Sequence, residues 1–315
     1  MYSIWYIERM ASTAYYQGRQ ATPSQKAEEN EFVIDATSHN TIILNSYDRN
    51  PITDPNNFIV NKAAIFNGIY RLSPAYLNIN YSVPNCNPRN NSFILEDPSG
   101  VNPSVTVTLP TQVILSNTDL VTALNTQLST LVGYFAGIVA SIDPLLKRIR
   151  LTGAANQFRV NAGFRNENLT GFFDNVAYTP AQRTSALSGG VQVYNGLPPP
   201  LLYTNVLIFA SQAITRFSKS DKSTGIDIGG EFLRFYIDEF FFNTNYGNFI
   251  SVSIGLGSGS KQLKFAPSAD LSNPDIKVYD QYGDLVYYDR LNSIFEYSIL
   301  FNVINMPDQW AFHTF

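Results

Sequence analysis

Residues 276–304 read IKVYDQYGDLVYYDRLNSIFEYSILFNVI, and this stretch decides the fold class. Apolar or aromatic residues alternate with polar ones on both sides of Gly283, as expected for strands with one buried face. Gly283 lies in the run Asp-Gln-Tyr-Gly-Asp, which suits a tight hairpin turn because glycine tolerates a positive φ. The stretch therefore predicts a C-terminal region built from hairpin-connected strands.

Similar short segments occur throughout the rest of the chain. They include TIILNS (41–46), FIV (58–60), SFILED (92–97), VTVTL (105–109), LYTNVLIFASQAI (202–214) and FLRFYIDEFFF (232–242). Turn residues separate them at a spacing of about 8–12 residues, which indicates an all-β sandwich or barrel. Ser73-Pro74 interrupts the apolar run 64–83. Because proline cannot donate to a sheet, we expect this break at a sheet edge or in a turn.

One segment predicts a helix instead of a strand. Ser116 to Asp119 resemble a capping box, and apolar residues follow at helical spacing. These residues are Leu120, Val121, Leu124, Leu128, Leu131 and Val132. Gly133 is the predicted end of the helix. With the strands on either side, residues 91–175 predict a β-β-α-β-β module that ends in the apolar turn 169–173.

These patterns divide the chain into four parts. They are an N-terminal arm (1–31), a β domain in two pieces (32–90 and 201–315), an inserted module (91–175) and a loop or connector rich in Thr, Ser, Gly and Pro (176–200).

The composition favours a protein that packs beside other proteins. Charged residues make up 15% of the chain, against roughly 25% in ordinary soluble domains, and Asn occurs 31 times. Aromatic residues reach 14%, which suits interface cores, although a large β core alone would also use many aromatics. The net charge of −4 and the lack of Lys/Arg runs argue against a partner bound through nucleic-acid phosphates.

Aromatic residues near both termini are the candidate assembly contacts. They are Tyr2, Trp5, Tyr6, Tyr15, Tyr16, Trp310, Phe312 and Phe315. Exposed aromatic anchors on an arm are useful in an assembly. The alternative is that they pack on their own domain as a frayed terminus.

Residues capable of catalysis or metal binding are sparse. Cys86 is the single cysteine, which excludes an intrachain disulfide. The chain has two histidines, His39, which lies in a turn-like stretch, and His313. GLGSGS (255–260) lacks the Lys-Ser/Thr of a phosphate loop. Five carboxylates cluster at Asp221, Asp227, Glu231, Asp238 and Glu239. Asp238 and Glu239 are adjacent, so on a strand they would point to opposite faces and could not cooperate in glycoside hydrolysis. We therefore predict no enzyme activity, no cofactor and no metal.

The chain shows no apolar stretch of membrane-helix length and no secretory signal. An intracellular origin, with no transmembrane segment, is the expectation.

Several segments together resemble the small capsid proteins of virophages, polinton-like viruses and related large double-stranded DNA viruses, above all their penton (vertex) proteins. These segments are ILNSYDRN (43–50) with NNFIVN (56–61), VTVTLPTQVILSNTDLVTALNTQL (105–128), QFRVNAGFRNENLTGFF (157–173) and the C-terminal stretch 276–304. They are similar to that family's opening strand with its Ser-x-Asp-Arg turn, its strand-turn-helix, the closing apolar turn and the last hairpin. Thr111-Gln112 departs from the family's frequent glycine in the turn after Leu109-Pro110.

The resemblance implies a single jelly roll of two sheets, with the inserted module projecting outward as an upper domain. It also implies a penton subunit that forms homopentamers at the fivefold vertices of an icosahedral virion and contacts major and minor capsid proteins. Assembly would take place in the host cytoplasm, and the module could contact the host surface.

Two other functions remain open from the sequence. One is a minor (cement) capsid protein on the shell interior. The other is a carbohydrate-binding jelly roll, for which Tyr282, Tyr287 and Tyr288 are the candidate residues.

Overall fold

Strands dominate the computed structural model, which describes residues 39–60, 66–153, 156–201, 204–215, 229–237, 246–254, 263–271 and 273–305. Their elements in chain order are β1 (His39–Asn45), β2 (Asn57–Ile59), β3 (Phe66–Ser82), β4 (Ser92–Glu96), β5 (Val105–Thr108), α1 (Asn117–Leu128), β6 (Val139–Ile142), β7 (Ile149–Gly153), β8 (Arg159–Ala162), α2 (Phe164–Thr170), α3 (Pro180–Arg183), β9 (Ala186–Ser188), β10 (Val191–Asn195), β11 (Val206–Ala210), α4 (Gln212–Thr215), β12 (Glu231–Tyr236), β13 (Ile250–Ser253), β14 (Leu263–Leu271), β15 (Asp275–Tyr279) and β16 (Ile294–Asn305). Short 3-10 helices cover Ser46–Asp48 and Gly133–Phe135.

Two sheets form the roll domain. One has the order β1-β16-β3-β13, with β14 also paired to β3, and the other has the order β12-β11-β15-β2. β13 and β14 pair with successive segments of β3, residues 76–79 and 66–72, and so occupy one position. Numbered as eight strands, the sheets then run 1-8-3-6 and 5-4-7-2, which is the order of a jelly roll. This confirms the predicted all-β, two-sheet fold.

The core between these sheets follows the period of two seen in the sequence. On β16, Phe295, Tyr297, Ile299, Phe301 and Val303 are all buried, and the residues between them are not. The Tyr297 ring lies 5.0 Å from the Phe209 ring of the opposite sheet, and its hydroxyl donates to Pro55 O at 3.0 Å. Each aromatic buried in this way contributes about 1.5–3 kcal/mol of transfer free energy.

Proline at position 74 does not mark an edge or a turn, contrary to expectation. β3 runs through Pro74 as a central strand of the larger sheet. A β-bulge occurs at this point, because the β16 pairing shifts between Leu300 and Phe301. On the other side, Pro74 falls between the β3 segments paired with β13 and β14. The missing N–H is therefore tolerated at a bulge.

The segment after Gly283 also differs from the predicted hairpin. Gly283 has φ +81° and lies in a tight turn in which Asp280 N donates to Asp284 O at 2.8 Å. Beyond the isolated bridge between Tyr279 and Leu285, residues 286–293 are not a strand. Val286 N donates to Val278 O of β15 at 2.9 Å, so a short hairpin is present. Beyond it, Val286 is buried and the two tyrosines that follow pack against the roll core.

A second hydrophobic core lies within residues 86–201, while the roll core uses residues 42–83 and 207–303. The inserted module contains two sheets, β6-β7-β10-β9 and β5-β4-β8. Helix α1 covers this core with Leu120, Ala123, Leu124 and Leu128. The ends of the insertion meet at Asn85, whose side-chain amide donates to Ile114 O at 2.8 Å and also to Leu201 O.

The predicted cap of α1 is present, but its predicted end is not. Ser116 Oγ accepts from Asp119 N at 3.1 Å. The helix ends at Leu128 instead of Gly133, and Val132 is 82% exposed. The Ser129 and Thr130 hydroxyls donate to backbone carbonyls of the last turn at 2.9 and 2.7 Å, and so satisfy groups that a longer helix would have paired.

Residues 176–200 contain more structure than the loop that their composition indicates. Helix α3 and strands β9 and β10 lie here, and β10 pairs with β7 of the module. The predicted apolar turn 169–173 is the end of α2, where Gly171 adopts φ +71°. Gly171 O accepts from Leu197 N at 2.7 Å. Residues 176–200 are therefore bonded to the module through β10, which pairs with β7, and through Leu197.

Candidate assembly surfaces and interdomain junction

The predicted aromatic assembly contacts lie outside the described residues. These contacts are Tyr2, Trp5, Tyr6, Tyr15, Tyr16, Trp310, Phe312 and Phe315. They therefore stay predictions, as does the N-terminal arm.

The structure separates the candidate nucleophile and the described histidine. Cys86 is fully buried in the module core, and its Sγ donates to Pro110 O at 3.3 Å. Burial raises the pKa of the Cys86 thiol to about 12, so the reactive thiolate is absent at neutral pH. His39 begins strand β1, paired with Ile304, and not a turn as the sequence indicates. His313 lies outside the described residues.

Glu231 is the described member of the carboxylate cluster, and it serves a structural ion pair. It is 3% exposed, and both its oxygens accept from Arg234 at 2.8 Å. Asp221, Asp227, Asp238, Glu239 and the glycine loop 255–260 lie outside the described residues. Within the described ranges, no group of three or more His, Cys, Asp or Glu side chains is placed to hold a metal ion.

The three tyrosines proposed for carbohydrate binding are half-buried and make internal contacts. The Tyr282 ring lies 5.0 Å from the Phe164 ring and 5.2 Å from the Arg165 guanidinium. Tyr287 and Tyr288 are partly buried against the roll core.

The Ser-Tyr-Asp-Arg turn after β1 is held by an ion pair to β16. Arg49 donates to both oxygens of Glu296 at 2.9 and 2.8 Å, with side chains 15% and 13% exposed. Ser46 Oγ donates to Glu296 and accepts from Tyr297 N at 2.9 Å. A bidentate pair with little water around it fixes both distance and orientation. The motif thus ties the first roll strand to the last.

A second polar cluster joins the inserted module to the roll domain. Its roll side is the turn at residues 280–284, here called the junction turn. Arg89 Nη1 donates to Leu285 O at 2.6 Å and lies 3.7 Å from Asp280 Oδ2. Asp280 is fully buried, and burial raises the pKa of its carboxyl, with Arg89 acting in the opposite direction.

Helix α2 of the module forms the rest of this junction. Arg165 donates to Asp284 Oδ2, and Asn168 Nδ2 donates to the Tyr282 hydroxyl. The Arg165 guanidinium lies near both the Tyr282 ring, at 5.2 Å, and the Phe164 ring, at 5.6 Å. The junction therefore combines hydrogen bonds, ion pairs and cation–π contacts.

An apolar row crosses the outer face of the larger roll sheet. Ile43 pairs with Leu300, and Leu300 pairs with Tyr76. Ile43 is 47% and Tyr76 49% exposed. The next row on the same face, Asn78, Ser298 and Ser251, is polar and linked by side-chain hydrogen bonds. On the smaller sheet, Ile59 and Tyr236 are exposed on the two edge strands.

These surface residues are assembly candidates that the sequence does not reveal. Ile43 and Tyr76 have the same residue types as core positions, and only their register places them on the outer face.

In the described part of the chain, no helix has the length and apolar character needed to span a membrane.

Among known proteins, similarity to this chain is found with solved structures. No protein-family model matches the chain, and no curated protein matches it. The crystal structure of the selenomethionine-labelled mavirus penton protein is similar with a TM-score of 0.46 and 12% identity, covering 85% of this chain and 100% of that one. A cryo-EM structure of the Sputnik virophage gives a TM-score of 0.39 and 15% identity, covering 85% and 98%.

Proposed function

We propose that the protein is a structural capsid protein, and more specifically the penton subunit that closes the fivefold vertices of an icosahedral virion. The observation that carries the proposal is the jelly roll whose two sheets both expose apolar side chains. A ring made by head-to-tail contact needs two different complementary surfaces on each subunit. The row of Ile43, Leu300 and Tyr76 is the candidate for one. The candidates for the other are Ile59 and Tyr236, which lie on opposite edge strands of the smaller sheet.

Charge and sequence resemblance support the same role. A chain with 15% charged residues suits surfaces that are covered by neighbours, because interface cores are poor in charge. The segments that resemble penton proteins include the Ser46–Arg49 turn and β16, which the structure joins through Glu296. In this role the outer contacts are with major and minor capsid proteins, the particle assembles in the host cytoplasm, and the inserted module faces outward toward the host.

Native mass spectrometry of the full chain tests the ring, with light scattering as a second readout. We expect a closed pentamer, and a chain lacking residues 1–31 reports whether the N-terminal arm contributes to it. A stable dimer or trimer would contradict the vertex role and leave the interior cement role. Monomers at high concentration would remove the assembly proposal.

A surface variant distinguishes a specific ring from non-specific association. Ile43→Glu places a charge in the apolar row, where burial of an unpaired charge is costly, and should dissociate the ring. Val101→Glu is the matched control, because Val101 is 81% exposed in a loop of the module. Equal loss of pentamer in both variants would show that the row is not the contact.

A further inference from the structure

A cavity of about 350 Å³ opens on the outer face of the β5-β4-β8 sheet in the inserted module. Its floor is a cross-strand row in which Ile94 pairs with Thr106 on one side and with Asn161 on the other. Phe164, at the start of α2, and Asn175 form walls of the cavity. Its volume falls within the range of about 300–1,000 Å³ that is usual for ligand sites.

Polar groups along this cavity are not used by the fold. Asn161 Oδ1 is buried and has no hydrogen-bond partner among the described residues. No internal bond holds this half-buried amide in one orientation, so it can turn either its oxygen or its nitrogen toward a ligand. Asn175 and Thr106 are exposed. Asn166 differs, because its side chain is bonded to Asn90 O and Thr170 Oγ1 at 2.6 and 2.8 Å.

The charged groups that border the cavity are already compensated. Arg89 interacts with Leu285 O and Asp280, and Arg165 donates to Asp284. An anion would therefore have to compete with existing carboxylate partners, at a cost that a neutral ligand avoids. Phe164 is 49% exposed despite its contacts with the Tyr282 ring and the Arg165 guanidinium, and so leaves an apolar surface beside amides and hydroxyls.

We propose that this cavity binds a neutral pyranose unit of a saccharide. The amides of Asn161 and Asn175 and the Thr106 hydroxyl would exchange hydrogen bonds with sugar hydroxyls, and the Phe164 ring would cover the C–H face. Neutral charge, several unused donors and acceptors and one half-exposed ring match that ligand class. The site differs from the jelly-roll tyrosines, and the proposal goes beyond the capsid role without depending on it.

Saturation-transfer NMR on the full chain tests the site with methyl glycosides of glucose, galactose, mannose and N-acetylglucosamine at millimolar concentration. We expect transfer to at least one of these probes. Thr106→Trp should abolish it by filling the cavity. Ser141→Trp is the matched control, since Ser141 is an exposed hydroxyl residue on β6 of the other module sheet, and it should bind as the wild type does. Unchanged thermal unfolding of both variants shows that they fold.

A second variant and a second probe sharpen the result. Asn175→Ala removes one exposed polar partner and should weaken binding about 2- to 10-fold, the effect of one hydrogen bond. Absence of transfer to all four glycosides, or transfer that persists in Thr106→Trp, overturns the proposal and leaves water as the occupant. Line broadening of inorganic phosphate that disappears in Thr106→Trp, without sugar binding, overturns it in favour of an anion. These signals are read independently of the oligomeric state, so failure here does not bear on the pentamer.

Discussion

Single residues carry the connection between the first and last roll strands, and Arg49 with Glu296 is the clearest case. Removing one partner of a poorly solvated pair leaves the other charge unpaired, which costs more than the pair contributes. We expect Glu296→Gln to lower the free energy of unfolding by about 2–3 kcal/mol, measured by urea denaturation.

The exposed pair between Arg290 and Asp54 is the control for that experiment. Its side chains are 53% and 47% exposed at an N–O distance of 2.9 Å, and such surface pairs contribute about 0–1 kcal/mol. Asp54→Asn should therefore change stability by less than about 1 kcal/mol. Equal effects at both sites would mean that burial does not strengthen the Glu296 pair.

Cys86 should be unreactive in the folded protein. Burial raises the pKa of its thiol to about 12, against about 8.5 in an unfolded chain. At pH 8, a thiol reagent should label the native protein only through unfolding, and should label it rapidly in guanidinium. Fast native labelling would contradict the buried position.

The same shift has a consequence for pH dependence. Between about 8.5 and about 12, the unfolded chain loses the Cys86 proton while the folded chain keeps it. The contribution of this thiol to stability therefore falls as pH rises through that range, and Cys86→Ala should show a flatter decline.

At the scale of elements, the end of α2 depends on a close backbone approach. A Cβ at Gly171 would lie 2.2 Å from Leu197 O, and φ there is +71°. Gly171→Ala should destabilise the module by more than about 2 kcal/mol, from strain and clash together. Thermal unfolding monitored by circular dichroism measures the change.

Gly137 separates these two causes. It has a similar φ of +78°, but a Cβ there meets nothing within 4 Å. Gly137→Ala should cost about 1–2 kcal/mol, from the backbone conformation alone. A cost as large as that of Gly171→Ala would show that the Leu197 contact is unimportant.

The elements that the sequence predicts are those whose pattern is local. β16 has an apolar or aromatic residue at every second position from Phe295 to Val303, and Ser116 marks the start of α1 on its own. Pro74 could not be placed, because its tolerance depends on a bulge and on strands almost 200 residues away. β10 is only five residues long and lies between a Gly/Ser segment and a Pro-rich segment. In so short a stretch, the alternation of a strand cannot be distinguished from a loop sequence.

The candidate site was less predictable than the fold. Arg89 and Arg165 find their partners at Asp280 and Asp284, a pairing that no local pattern shows. The apolar row and the module cavity both arise from register between strands, which single segments do not specify. The terminal aromatics, which the sequence does single out, remain untested predictions.

Across the whole molecule, the junction turn should make the two cores unfold together. Tyr282→Ala removes the ring that contacts Phe164 and Arg165, together with the hydroxyl that accepts from Asn168. We expect one calorimetric transition in the wild type and two in this variant, as coupling between the cores weakens.

Phe249→Ala is the control for the whole-molecule experiment, because Phe249 is an aromatic residue 55% exposed just before β13 of the roll. It should retain a single transition. Two transitions in the wild type would indicate that the junction does not couple the domains.

The two ends of the insertion meet at Asn85, so the inserted module is attached to the roll domain at one place in the chain. Chain entry and exit lie side by side, since the side-chain amide of Asn85, at the entry, donates to Leu201 O at the exit. Residues 86–201 are therefore replaceable by a different domain, or by a short linker, without a change in the strand order of the two roll sheets. In the proposed vertex role, the module can then change while the roll surfaces that contact neighbouring subunits stay the same.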